Sequence, residues 1–232
     1  MRKLIRLELK RHRMNVYLKA SVAVTLGLIA FVYFIAYVAK VENEADFQTY
    51  PNILLFTSII SMICFSVLAS VMYSRVVIEE YSGNRLTLLF TYPVNRKKML
   101  LAKVILVSSF STIAMIGGNL LALFIFAMTE SVAPIVNDKM SLNLVLSMIL
   151  TIVILSISAS VCSLAAMRIG FVRKSVPSAI VSALLLCALI GNLVIGSAQN
   201  QLLLIFLALL MIALGVFIVM ELMNRIHTME TE

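Results

Sequence analysis

Residues 79–103 read EEYSGNRLTLLFTYPVNRKKMLLAK. This is the only long stretch mixing polar and apolar residues in a chain that otherwise alternates greasy runs with very short connections. Glu79, Glu80, Gly83, Pro93, Arg96 and Lys103 punctuate it. Connections in compact structures usually span a handful of residues, so a segment of this length between two apolar runs implies a job of its own. What it joins follows from the rest of the chain.

Of 232 residues, 62% are hydrophobic and 13% charged, with a mean hydropathy of +1.05. Ordinary soluble domains carry about 25% charged residues, so the composition points to an integral membrane protein. Six runs reach the ~20 apolar residues needed to cross a bilayer. They lie at about 20–39, 53–74, 104–127, 142–167, 176–195 and 201–220. Each is expected to be helical, because backbone groups in lipid must be satisfied within the segment. The predicted fold is therefore all-α, a single transmembrane domain over residues 1–232. The first run is too long for a signal h-region, and no small-residue cleavage site follows it.

Lysine and arginine set the expected orientation. Seven precede the first run, six lie between runs two and three, three between runs four and five, and Arg225 follows the last. The other connections hold only Lys40 and Lys139. The positive-inside rule places both termini and residues 79–103 in the cytoplasm. The net charge of +8 is thus spent in short blocks beside apolar runs, and a nucleic-acid partner is not expected.

The N-terminus, MRKLIRLELKRHRMN, has its own pattern. At 100° per residue, Arg2, Lys3, Arg6, Lys10 and Arg13 share a sector of about 100°. Leu4, Ile5, Leu7, Leu9 and Met14 lie outside it. Residues 1–16 are predicted to form an interfacial helix, basic side on anionic headgroups of the lipid bilayer.

Inside the runs, Gly117-Gly118-Asn119 lies mid-membrane, suited to close helix packing or to a polar kink beside a pathway. Ser156, Ala159, Ser160, Ser163, Ala166 and Gly170 recur at helical spacing and form a small-residue face. Cys64, Cys162 and Cys187 read as buried small hydrophobes. None of the six runs contains Lys, Arg, Asp, Glu or His. Gradient-driven carriers usually place ionisable groups there. Neither a phosphate-cradling loop nor a metal-ligand cluster nor a nucleophile motif is present. No catalytic or metal site is predicted, and uphill transport requires work from another subunit.

Within residues 79–103, Gly83 can end a helix and Asn84 can cap the next. Leu86, Leu88, Leu89 and Phe90 make that short helix strongly apolar. Tyr92-Pro93 terminates it, and Asn95 can cap the helix that re-enters the membrane.

The order Glu80, Gly83, Leu88-Leu89, Tyr92-Pro93-Val94, Arg96 and Lys103 resembles the cytoplasmic loop between spans two and three in the permeases of type-2 ATP-binding-cassette (ABC) exporters. The six-span layout and basic N-terminal helix resemble them as well. Asn84 replaces a frequent Thr, and the connection between runs five and six is shorter than in larger members. The resemblance implies a bacterial plasma-membrane permease with a second permease chain, identical or not, and two ABC ATPase subunits per complex. Residues 84–92 are then the coupling helix. Leu88, Leu89 and Phe90 enter an apolar cleft on the ATPase, Arg85 and Arg96 contact its rim, and Glu80 orients the helix leaving span two. No cofactor is expected in this chain, since ATP and Mg are bound by the partner ATPase. Amphipathic or hydrophobic peptides are the implied cargo, with lipids or drugs as the alternative. A non-transporting sensor or scaffold is the competing class.

Overall fold

The computed structural model describes residue 9 and residues 14–42, 49–78, 96–132, 142–173, 175–197 and 200–228. Six helices long and apolar enough to cross a membrane account for these residues, and no strand occurs among them. They are α1 (Met14–Glu42), α2 (Tyr50–Tyr73), α3 (Arg96–Val132), α4 (Leu142–Arg173), α5 (Val176–Ser197) and α6 (Gln201–Thr228). The protein is a multi-pass, all-helical membrane protein.

Several helix starts have local causes. Thr49 is extended (φ −111°, ψ 138°) and Pro51 sits in the first turn of α2, where its missing N–H has no bond to lose. Asn200 caps α6, its Oδ1 accepting from the Leu202 N–H at 3.1 Å. α3 has 37 residues, about 55 Å at 1.5 Å per residue. That exceeds the ~30 Å hydrocarbon core, so α3 extends past the bilayer.

α4 is the central element, packing against α2, α3, α5 and α6. α2 is the other inner helix, with 61% of its most apolar window buried against 28% for α1, α5 and α6. Those three outer helices turn large hydrophobics such as Phe34, Leu189 and Phe206 outward, the arrangement expected where lipid is the solvent. Apolar packing forms three layers. The layer at the lysine- and arginine-rich end contains Met72, Tyr73, Val76, Leu100, Met167 and Leu222. A middle layer contains Met62, Phe65, Met115, Leu155 and Val194. The third, at the basic-poor end, contains Val32, Tyr50, Ile53, Phe126 and Met148.

The small-residue face of α4 is buried and accommodates its neighbours. A Cβ on Gly170 would lie 2.6 Å from the Ala179 Cβ and 2.8 Å from the Ile78 Cδ1. Gly170 therefore lets α5 and the end of the second span converge on α4. Gly118 does the same for α1, since a Cβ there would meet Thr25 Oγ1 at 2.6 Å. Its neighbour Gly117 faces open space. Asn119 is buried and donates to Ser61 Oγ at 2.8 Å, tying α3 to α2. Thr112 and Ser160 hydroxyls join α3 to α4 at 2.6 Å. Most other hydroxyls bond a carbonyl one turn earlier, as Thr57 does with Ile53 (2.8 Å).

At the basic-poor end, Tyr50 Oη donates to Glu130 Oε2 at 2.8 Å. Tyr33 and Thr129 hydroxyls pair at 2.8 Å, and the Phe126 ring meets both tyrosines edge-on. This end of the bundle is thereby closed by α1, α2 and α3 together.

Candidate transmission site at the basic end

The segment between α2 and α3 leaves the described bundle at Ile78 and returns at Arg96. Glu80, Gly83, Asn84, Arg85, Leu88, Leu89, Phe90 and Pro93 lie outside the described residues, and Arg96 enters only as the first backbone position of α3. Arg2, Lys3, Arg6, Lys10 and Arg13 lie outside them too, while Leu9 is helical and exposed. What the structure supplies is the root from which the segment springs.

Hydropathy ends the second apolar run at Ser74, with Gly83 as the expected stop of its helix. α2 continues past Tyr73 as a π-helical turn, Ser74–Ile78. Ser74, Val76, Val77 and Ile78 are buried, and Arg75 is exposed. The reason is packing: Val76 and Val77 belong to the apolar layer at this end, and Ile78 abuts Gly170. Ending the helix at Arg75 would leave those side chains in water. π-turns inside helices are rare and recur at functional positions.

Lys103 is the second departure. By sequence it belongs to the charges flanking span three; in the structure it is fully buried (0% exposed), about two turns into α3. Its Nζ donates to the Val76 carbonyl at 3.0 Å. A π-turn shifts the backbone register by one residue and so can leave a carbonyl for a side-chain donor. An ammonium carries three donors, and burying it is very unfavourable unless it is bonded. One residue further on, Tyr73 Oη donates to the Val104 carbonyl at 3.3 Å. The two bonds run in opposite senses: α3's side chain grips α2's backbone, and α2's side chain grips α3's backbone. Both roots of the segment are cross-braced.

The brace has two extensions. Through Ile78 and Gly170 it touches α4 and Ala179 at the start of α5. Arg168 of α4 and Glu221 of α6 form an ion pair at the same end. Both side chains are about one-third exposed, so the pair orients α6 more than it stabilises the fold. Sequence reading missed the π-turn, Tyr73 and Val76, which carry no compositional signal. Glu221 had one: it is the only carboxylate close behind the last apolar run that faces a basic residue closing run four. Among the described residues no cluster of metal-ligating side chains occurs.

A family model described as "ABC-2 family transporter protein" matches residues 4–188. The chain belongs to the ABC-2 transporter family. It is similar to "Uncharacterized protein YcbO" of Bacillus subtilis (strain 168), with 25% identity over 214 residues, 92% of this chain and 93% of that protein. No solved structure matches it significantly. An ABC-2 protein is the membrane-spanning subunit of an ABC transporter, and family membership implies a separate ABC ATPase as partner. The cross-braced end of this ABC-2 subunit is the end from which residues 79–95 emerge.

Proposed function

We propose that this ABC-2 subunit is the permease of an ATP-driven exporter and that residues 79–103 receive the stroke of the ATPase. The observation that carries this reading is the root of the segment. Lys103–Val76 and Tyr73–Val104 fix α2 to α3, and Ile78 against Gly170 links them to α4 and α5. A push on residues 84–92 therefore reaches four spans as one unit. The lysine and arginine distribution supports placing this end, and both termini, in the cytoplasm of a bacterial cell. Two ATPases and a second permease chain complete the assembly on this reading.

The cargo we propose is an amphipathic or hydrophobic peptide, such as a bacteriocin, antimicrobial peptide or toxin. The support is that the six apolar runs hold no charged residue: buried Lys103 and Glu130 lie at opposite ends of the bundle, and the apolar stretch between them disfavours ions and strongly charged solutes. Lipids or drugs share that chemistry.

Co-purification with a candidate ATPase, followed by ATPase assays with candidate peptides in lipid, tests the reading. Peptide-stimulated hydrolysis is expected. Gly83→Val and Leu89→Asp should abolish stimulation and transport while leaving membrane insertion intact. Transport persisting in both variants would remove the coupling assignment, and a complex with no ATPase would favour a sensor or scaffold.

A further inference from the structure

A cleft opens near the basic-poor end where α2, α4 and α6 converge. Its volume is about 170 Å³, in the range of an enclosed cavity that holds a benzene-sized group. Leu54, Met148 and Leu204 supply apolar wall. Gln201, the first residue of α6, stands exposed at its rim. Deeper in, eight residues along α2, stands Ser58, about 12 Å below the helix start.

Ser58 is the unusual member. It is 5% exposed, and its hydroxyl makes no hydrogen bond among the described residues, whereas adjacent Thr57 bonds Ile53. Ser147 and Thr151, also in the lining, donate along their own helix to Leu144 and Ser147 carbonyls (2.8 and 2.9 Å). Ser58 thus offers an unbonded donor to the cleft, in a lining whose other hydroxyls are already bonded along their own helix. Among the described residues no charged side chain lines the cleft, which disfavours a charged occupant there.

From this we infer that the cleft is a binding pocket for an uncharged aliphatic chain bearing an ester or amide carbonyl, the carbonyl accepting from Ser58 and the polar end lying near Gln201. Two sources share that chemistry: the acyl ester of a bilayer lipid and an amide-containing amphiphile. The inference requires only that the bundle sits in a bilayer, so it stands apart from the exporter reading.

The chain contains no tryptophan, so one introduced indole reports on one place. Leu150→Trp puts the probe in the cleft lining, and Leu189→Trp puts it on a lipid-facing surface of α5. Each position is eight residues from the basic-poor end of its helix. The full chain is reconstituted first in vesicles of phosphatidylcholine brominated on one acyl chain. It is then placed in plain phosphatidylcholine vesicles titrated with terminally brominated decanoyl-N-methylglucamide. A filled pocket gives the Leu150→Trp variant about twofold or more stronger quenching than the Leu189→Trp variant. Excess quenching in the first arm identifies bilayer lipid. Saturable excess in the second arm alone identifies the amphiphile. Adding Ser58→Ala should weaken occupancy by about two- to tenfold, the value of one hydrogen bond, and Gln201→Leu provides a second, surface-located check. Equal quenching of both probes in both arms, or excess quenching indifferent to Ser58→Ala and Gln201→Leu, overturns the pocket.

Discussion

Lys103 Nζ and the Val76 carbonyl oxygen lie 3.0 Å apart in the interior, a buried ammonium gripping the backbone of a π-turn on the neighbouring helix. Lys103→Met keeps length and apolar contact while removing the donor. It should destabilise the protein by about 1–3 kcal/mol, the consequence of leaving a buried carbonyl unpaired. It should also lower ATP-driven transport out of proportion to that loss. Thermal unfolding in detergent beside transport in vesicles measures both. Wild-type transport at reduced stability would make the brace purely structural.

Gly170→Ala should be costly and Gly117→Ala neutral, although both lie in transmembrane helices. The first adds a methyl 2.6 Å from Ala179 Cβ and 2.8 Å from Ile78 Cδ1, and overpacking of this kind costs about 1–3 kcal/mol. The second adds one where nothing lies within 4 Å. Midpoints of heat-induced aggregation, read by size-exclusion chromatography, should separate the two variants clearly. Similar midpoints would mean that α4 and α5 slide apart at no cost.

Gly118→Ala should be harmful in the presence of Thr25 and tolerated in its absence. The new methyl would meet Thr25 Oγ1 at 2.6 Å and Cγ2 at 3.5 Å, and Thr25→Ala removes both atoms. A double-mutant cycle should return a coupling of about 0.5–2 kcal/mol. Strict additivity would deny the contact between α1 and α3.

Asn119→Leu and Ser61→Ala each break one buried bond of 2.8 Å. Interhelical hydrogen bonds in membranes average about 0.6 kcal/mol and reach about 1.7. Ser61→Ala should be the worse of the two, since it leaves the Asn119 amide in apolar surroundings. Stability series in detergent decide the order.

Tyr50→Phe removes the donor to Glu130 at the basic-poor end but keeps the ring against Phe126. A hydrogen bond to a buried carboxyl group is worth about 1.5–3 kcal/mol when the group is charged. A fall of that size in unfolding free energy is expected, whereas Tyr33→Phe, at an exposed bond, should cost less than half as much.

The membrane architecture was legible because lipid imposes a blunt rule: about 20 apolar residues per crossing and internally satisfied backbone. Six runs obey it, and six helices contain them. Gly170 and the serines of α4 were also readable as a packing face, since small residues at helical spacing have one main use in lipid. The π-turn was not legible, because an i→i+5 register has no residue signature and SRVVI suits an α-helix as well. Lys103 misled for a related reason. Counting charges treats a lysine next to an apolar run as a flank, yet α3 starts seven residues earlier and carries Lys103 into the core. The free hydroxyl of Ser58 was invisible too, since sequence cannot separate a serine bonded to its own helix from one facing a cleft. The coupling residues read from the motif, Glu80 through Pro93, lie outside the described residues.

The π-turn also fixes a phase. It holds one residue more than an α-turn over the same span, and one residue of α-helix is worth 100° of rotation and about 1.5 Å of rise. The azimuth at which the chain departs after Ile78 is therefore set by that surplus residue, with Lys103 as its catch. If the same residues took ordinary α-helical register, every residue after them would be turned by about a quarter of a circle. Relaxing the π-turn at this one point would thus re-aim the whole segment without altering a single residue of it.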